Sequence, residues 1–142
     1  MTERVLLVDD EVEFLDIMAE RMRARDMEVT TSTSATEALA LIAAESFDAV
    51  IMDFMMPEMD GIQALRAIKE KKPEMQIILL TGHATVAKGV EAMKAGAMDF
   101  VEKPADLDAL SEKIKKAHHK KAIIVEKQIQ HKVMEALGRL GM

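Results

Sequence analysis

The sequence contains no cysteine, tryptophan or tyrosine, and only three prolines in 142 residues. Without cysteine, neither disulfides nor thiolate metal sites can contribute, which argues against a small secreted domain stapled by disulfides. No apolar run approaches the roughly 20 residues that a membrane span needs, and the run that begins at Val5 is too short for a signal peptide. We therefore expect a soluble, cytoplasmic protein without membrane contacts.

Charge is distributed unevenly along the chain, whose net charge is -6. Residues 1–104 carry 11 basic and 20 acidic side chains, whereas residues 105–142 carry 8 and 5. An acidic body repels a phosphate backbone, so we expect no direct binding of nucleic acid by this chain. The 13 methionines are expected to fill gaps in the core rather than to form a binding surface.

Short apolar runs alternate with helical patterns. The predicted strands are 5–8, 27–31, 49–52, 76–80 and 97–101. The predicted helices cover about 14–25, 34–42, 61–71, 85–95 and 107–137. Strands that alternate with helices of about 10 to 15 residues are typical of right-handed βαβ units. We therefore predict an α/β fold with a doubly wound, five-stranded parallel sheet that has helices on both faces.

The last predicted helix is longer than the domain requires. No proline or glycine interrupts it, so a helix of roughly 30 residues, ~45 Å long, should project beyond the body. Apolar residues at Val125, Ile129 and Val133 suit packing against another helix, although fewer than three heptads give a weak coiled-coil pattern. We predict a domain at 1–122 and a helical extension at 123–142 that serves as a linker or an interaction helix. Homodimerisation and contact with another partner stay open.

Polar side chains with complementary chemistry follow four of the predicted strands. Asp9 and Asp10 follow the first strand, Asp53 the third, Thr81 the fourth and Lys103 the fifth. The carboxyl ends of parallel strands meet at one edge of an open α/β sheet, so these side chains should lie close together. Carboxylates suit Mg2+, which also keeps waters or phosphate oxygens, and a hydroxyl and an ammonium suit a phosphoryl group. The pattern predicts a site where Asp53 can form an acyl phosphate.

Four motifs resemble the receiver domain of two-component response regulators. They are Leu-Leu-Val-Asp-Asp-Glu at 6–11, Ile-Met-Asp-Phe-Met-Met-Pro-Glu-Met-Asp-Gly at 51–61, Leu-Leu-Thr-Gly-His-Ala at 79–84 and Gly-Ala-Met-Asp-Phe-Val-Glu-Lys-Pro at 96–104. The resemblance covers about residues 3–122 and is greatest to receivers of the nitrogen-regulation type. It implies a flavodoxin-like sheet with strand order 2-1-3-4-5.

The resemblance also implies the phosphorylation site. Asp53 would accept a phosphoryl group from a sensor histidine kinase or a histidine phosphotransfer protein. Mg2+ would be bound by Asp10, Asp53 and the backbone carbonyl of Met55, and Asp9 would act through water. The chain would thus be a signalling module that catalyses its own phosphorylation and dephosphorylation, rather than an enzyme.

The remaining implied roles concern the response to phosphorylation. Thr81 and Lys103 would contact the phosphoryl group, Phe100 would be an aromatic switch, and the Lys103-Pro104 peptide bond would be cis. Drawing Thr81 inward would let Phe100 turn and remodel the surface near 85–101, which would change the effector or output domain that binds.

Two neighbours of the predicted cleft bear on how long the phosphoryl group lasts. Met55 follows Asp53 by two residues and offers no polar group to orient a hydrolytic water, which favours a long-lived phosphoryl group. His83 follows Thr81 by two residues and could act in the opposite way by positioning a water, or could be an ordinary loop histidine.

Two other functional classes compete with a receiver. A phosphatase or phosphomutase with an aspartyl nucleophile would want a second aspartate where Met55 stands. A nucleotide or flavin carrier would want a glycine- or hydroxyl-rich loop after the first strand, where the chain has acids. Within the receiver hypothesis, the chain is either a stand-alone protein or the receiver of a longer transcriptional regulator.

Overall fold

A computed structural model describes residues 2–82 and 85–141, so the expectation for His83 lies outside the described residues. Strands and helices alternate along the chain. The strands are β1 Arg4–Val8, β2 Glu28–Ser32, β3 Ala49–Asp53, β4 Ile77–Thr81 and β5 Asp99–Glu102. The helices are α1 Val12–Arg23, α2 Ala35–Ala44, α3 Gly61–Lys71, α4 Val86–Lys94 and α5 Leu107–Arg139.

The strands form one parallel sheet of order β2-β1-β3-β4-β5, as predicted. Successive side chains of a strand point to opposite faces, and each face carries its own core. Leu6 and Met52 belong to the core under α2, α3 and α4, whereas Leu7 and Ile51 belong to the core under α1 and α5. Burial on both faces explains why the strands are continuous apolar runs rather than alternating ones.

Most boundaries differ from the prediction by one or two residues, and two of these differences have a structural cause. The strand β5 begins at Asp99 instead of 97, because the C-terminal cap of α4 uses the preceding residues. Gly96 has φ +105° and the backbone N–H of Ala97 donates to the carbonyl of Ala92. At the other end of the chain, α5 passes through Gly138, and Gly141 with φ +76° follows its last turn. A glycine inside a helix costs only about 1 kcal/mol relative to alanine, which does not suffice to end a long helix.

Side-chain caps define where the helices begin. Ser34 accepts a hydrogen bond from the backbone N–H of Glu37, and Asp106 accepts one from the backbone N–H of Asp108 at the start of α5. A reciprocal capping box at Asp60 and Gln63, which the sequence analysis did not single out, begins α3. These caps fix the loops that connect the strand ends to the helices.

The helix α5 is anchored to the body over its first part and then leaves it. Ile114 and Ala117 are fully buried against the sheet. Beyond them, His118 Nδ1 lies 2.7 Å from Asp48 Oδ1 and Lys121 Nζ donates to the carbonyl of Phe47 at 2.7 Å. The residues that follow are mostly exposed, which confirms a long C-terminal helix that extends past the domain. Among the described residues, no helix has both the length and the apolarity needed to cross a bilayer.

Candidate functional site

The predicted polar residues meet at the carboxyl edge of the sheet. Asp53 and Thr81 are the last residues of β3 and β4, Asp9 directly follows β1, and Lys103 directly follows β5. A cleft of about 280 Å3 opens there. It is lined by Asp10, Glu11, Asp53, Met55, Thr81, Gly82 and Lys103. The structure thus brings together the residues that the sequence analysis placed at strand ends.

Three carboxylates form the acidic part of the cleft. One oxygen from each of Asp9, Asp10 and Asp53 lies within 4.8 Å of the others, close enough to share one cation. Asp9 and Asp53 are buried, and Asp10 is exposed. Such a set of hard oxygen donors suits a divalent cation such as Mg2+, which takes one or two carboxylates and keeps several waters.

The pKa of Asp53 is raised above its usual value. Burial is the main cause, and the neighbouring charges of Asp9 and Asp10 act in the same direction. The backbone N–H of Met55, which donates to Asp53 Oδ1 at 3.2 Å, and the ammonium of Lys103 offset part of the effect. The ionised carboxylate is therefore held in an unfavourable field, which a bound cation would relieve.

The Lys103 ammonium lies among the carboxylates. Its Nζ is 2.7 Å from Asp9 Oδ2, 3.5 Å from Asp53 Oδ2 and 3.6 Å from Glu11 Oε1. Burial lowers its pKa, but the hydrogen bond to Asp9 and the surrounding negative charges outweigh burial, so the pKa is raised overall. Lys103 is therefore a charged ammonium at neutral pH, held next to Asp53. The Lys103-Pro104 peptide bond is cis, as the resemblance implied.

Backbone hydrogen bonds hold the loops of the cleft in place. The N–H of Lys103 donates to the carbonyl of Thr81 at 2.7 Å, which joins the ends of β4 and β5. The N–H of Gly61 donates to the carbonyl of Phe54 at 2.7 Å and closes the loop after β3. A Cβ at Gly61 would stand 2.9 Å from the Phe54 Cα, so this close approach requires glycine. Met55, in the same loop, is 61% exposed at the mouth of the cleft.

Phe100 lies away from the cleft. It is the second residue of β5 and so precedes the carboxyl end of the strand. The ring is partly buried and meets the Phe54 ring edge to face, with centroids 5.8 Å apart. A Cβ at Gly89 of α4 would be 3.5 Å from this ring. Phe100 therefore lies between the loop after Asp53 and α4.

Two residues of the site were not predicted from the sequence. Glu11 lines the cleft and forms the third contact of the Lys103 ammonium. Phe14 lies in the first turn of α1, and Lys103 Nζ stands over its ring at 4.4 Å from the centroid. The acidic run from Asp9 to Glu11 could have pointed to the first residue. No local pattern pointed to the second.

Comparison with known proteins agrees with this geometry. The family model described as "Response regulator receiver domain" matches residues 5–115. The transcriptional regulatory protein ZraR of Salmonella typhimurium is 40% identical over 113 residues, which are 80% of this chain and 26% of that protein. The chain therefore spans about a quarter of the length of this curated relative.

Solved structures show the same fold. A receiver domain protein from Clostridium thermocellum superposes with a TM-score of 0.81 at 35% identity, covering 86% of this chain and 98% of that chain. The beryllofluoride-activated receiver domain dimer of NtrC4 superposes with a TM-score of 0.79 at 32% identity, covering 83% of this chain and 98% of that chain. The family model, the relatives and the superpositions agree, and the chain belongs to the receiver domain family of response regulators, related to regulators of the NtrC type.

Proposed function

We propose that the chain accepts a phosphoryl group on Asp53, from a sensor histidine kinase or a histidine phosphotransfer protein, in a reaction that needs Mg2+. The observation that carries the proposal is the position of the Asp53 carboxylate, which lies in the cleft with an oxygen within 4.8 Å of oxygens of Asp9 and Asp10 and with Oδ2 3.5 Å from the Lys103 ammonium. The nucleophile, the ligands for a cation and a positive counter-charge therefore lie together in the cleft. The acidic cleft thus supports the role that two-component signalling requires of a receiver.

The donor set fits Mg2+. Asp10, Asp53 and the backbone carbonyl of Met55 would bind the ion, and Asp9 would act through water. Asp9 suits an indirect role because both of its oxygens already have partners: the Glu11 N–H donates to Oδ1 at 2.9 Å, and Lys103 Nζ binds Oδ2. When bound, Mg2+ neutralises charge on the phosphoryl oxygens and on the crowded carboxylates.

The chemical step is an in-line transfer. A carboxylate oxygen of Asp53 forms a bond to phosphorus while the bond from phosphorus to the donor's imidazole nitrogen breaks, and that nitrogen keeps the bonding electron pair. The product on Asp53 is an acyl phosphate. Lys103 would bind one phosphoryl oxygen and the Thr81 hydroxyl another, since both residues line the same cleft as Asp53.

Signalling would follow from a shift in conformation. Thr81 moves toward the phosphoryl oxygens, and Phe100 turns into the space that Thr81 leaves. The contacts of Phe100 with Phe54 and α4 would carry the change to the surface between 85 and 101. That surface would bind a downstream effector or an output domain differently before and after phosphorylation.

The extension at 123–142 is proposed as a linker or interaction helix that follows a receiver domain at 1–122. The related NtrC4 receiver domain was solved as a dimer, which favours a homodimer here. Ile129, Val133 and Leu140 form an exposed apolar stripe on the extension that a second helix could cover. Sedimentation of the full chain and of a Val133→Lys variant would test this role, since only pairing through the stripe predicts that the variant becomes monomeric. A cytoplasmic location stays a prediction from the sequence.

Intact mass spectrometry tests the phosphorylation proposal. The protein is incubated with acetyl phosphate and Mg2+, in parallel with Asp53→Asn and with Asp16→Asn, which removes an exposed carboxylate outside the cleft. We expect a gain of one phosphoryl group, about 80 Da, in the wild type and in Asp16→Asn. Asp53→Asn should gain none, and EDTA should abolish the adduct. No adduct in the wild type would refute the proposal.

A further inference from the structure

An aromatic ring lies against the Lys103 ammonium, in addition to its three carboxylate partners. Phe14 is in the first turn of α1, and Lys103 Nζ stands 4.4 Å from its ring centroid. Phe14 is partly buried and packs against the core shared by α1 and α5. Its ring is therefore held by packing that does not involve the cleft.

The surroundings of Lys103 favour a strong interaction with this ring. A cation over an aromatic face is attracted by the ring quadrupole, more strongly when water is excluded. The Lys103 side chain is only 14% exposed, so the ring takes the place of solvent on that side. A lysine has a flexible four-carbon stem, and a wall on one side limits where its ammonium can stand.

The position of the ammonium matters for phosphoryl transfer. Lys103 Nζ is 2.7 Å from Asp9 Oδ2 and 3.5 Å from Asp53 Oδ2. It is therefore already close to the place where an oxygen of a phosphoryl group on Asp53 would lie. A small displacement along the ring face would carry it from one partner to the other. A displacement into solvent would remove its charge from the transfer.

We propose that Phe14 is a positioning residue for the phosphorylation of Asp53, acting through a cation–π contact that keeps the Lys103 ammonium beside the nucleophile. This inference rests on the proposed function. Phe14 is not among the described residues that line the cleft or form the carboxylate cluster. It acts by restricting Lys103, whose ammonium stabilises the charge that develops on the transferred oxygens.

The competing explanation is that Phe14 only fills space in the core. Leucine at this position keeps apolar bulk but has no aromatic face, whereas tyrosine keeps the face. Pentafluorophenylalanine has nearly the size of phenylalanine but reverses the ring quadrupole, so it repels the ammonium while still packing. A packing role predicts that these three residues rank by size, and a cation–π role predicts that they rank by ring electrostatics.

The experiment measures the rate of phosphorylation by acetyl phosphate at saturating Mg2+, together with the affinity for Mg2+. We expect Phe14→Leu and pentafluorophenylalanine at 14 to slow phosphorylation about two- to tenfold, and Phe14→Tyr to stay near the wild-type rate. The affinity for Mg2+ should not fall in any of them, because Lys103 competes with the cation rather than binding it. General damage to the site would weaken both.

A matched control exists at the opposite end of the sheet. Phe47 is buried, and the Arg4 guanidinium lies over its ring at 5.5 Å from the centroid. Phe47→Leu should therefore lower the stability of the protein without changing its phosphorylation rate. A wild-type rate in the pentafluoro variant would overturn the inference, whatever the rate of Phe14→Leu. If Phe14→Leu does not fold, the pentafluoro variant alone decides it. No adduct in the wild type would instead refute the proposed function, so the two failures are distinguishable.

Discussion

Replacing Asp53 by asparagine should make the metal-free protein more stable. Burial and the charges of Asp9 and Asp10 raise the folded-state pKa of Asp53 above its unfolded value. A group with a raised pKa contributes its stability at low pH and loses it as pH rises through the folded pKa, so at pH 7 the wild type bears a cost. Asparagine lacks the charge and keeps an oxygen to accept the hydrogen bond of the Met55 N–H.

The size of this cost follows from the distances in the cleft. At an effective dielectric constant of about 20, a carboxylate repels Asp53 by about 3.5 kcal/mol at the 4.8 Å limit of the cluster. Lys103 at 3.5 Å attracts it by about 5 kcal/mol. Two repulsions against one attraction leave a net cost of about 2 kcal/mol. Exposure of Asp10 weakens one repulsion, whereas burial of Asp53 adds a cost of the same sign.

Urea unfolding at pH 7 in EDTA measures the effect. We expect the free energy of unfolding of Asp53→Asn to exceed that of the wild type by about 2 kcal/mol, with a melting temperature roughly 6 °C higher. Asp16→Asn, in an exposed part of α1, should match the wild type. The difference should vanish below the ordinary titration range of aspartate, where Asp53 is protonated in both states.

Addition of Mg2+ should reverse the order of stability. At 100 times its dissociation constant, a ligand that binds only the folded state stabilises it by about 2.7 kcal/mol. The wild type should gain this amount, and Asp53→Asn should gain less because it lacks one ligand charge. An Asp53→Asn variant less stable than the wild type in EDTA would refute the reasoning, since the carboxylate cluster would then be net stabilising.

Three further predictions concern neighbouring residues of the cleft. In EDTA, Lys103→Met should lower the free energy of unfolding by about 3 kcal/mol, because Asp9 keeps a buried charge without its ammonium partner. For the same reason, the variant should gain more stability from Mg2+ than the wild type. Urea unfolding that shows no loss in EDTA would contradict this. Gly61→Ala should lower the free energy of unfolding by about 1 to 3 kcal/mol, since its Cβ would stand 2.9 Å from the Phe54 Cα. An unchanged urea midpoint would show that the loop can move to make room for the Cβ. Met55→Asn should shorten the lifetime of the phosphoryl group several-fold, because the asparagine amide can orient water at the exposed mouth of the cleft. A time course of phosphoryl decay measures this, and a longer lifetime would exclude this role for residue 55.

The strands and the site were predictable because both depend on features that repeat locally, whereas the strand order came from the resemblance to receiver domains. Buried parallel strands require continuous apolar runs, and the polar residue after each run marks the functional edge of the sheet. Asp9, Asp53, Thr81 and Lys103 were assigned to that edge from their positions alone. In the structure, Asp53, Thr81 and Lys103 line one cleft, and a carboxylate oxygen of Asp9 lies within 4.8 Å of one from Asp53. The chemical roles of these residues remain predictions.

The features that were not predictable depend on tertiary contacts or on competition between weak local terms. The contact of Phe14 with Lys103 joins the first turn of α1 to the residue after β5, and no local pattern encodes how those two elements face each other. The late start of β5 depends on how the cap of α4 closes at Gly96. Gly138 does not end α5 because its helix penalty is small compared with the continuity of the surrounding turns.

Locating the modified residue is the decisive test of Asp53 as the phosphoacceptor. The protein is treated with acetyl phosphate and Mg2+, reduced with borohydride to convert an aspartyl phosphate into homoserine, and digested for tandem mass spectrometry. We expect homoserine at position 53 alone, and no homoserine when Mg2+ is removed with EDTA. Homoserine at Asp9, Asp10 or another aspartate with Asp53 intact, or phosphate on a hydroxyl or an imidazole, would contradict it.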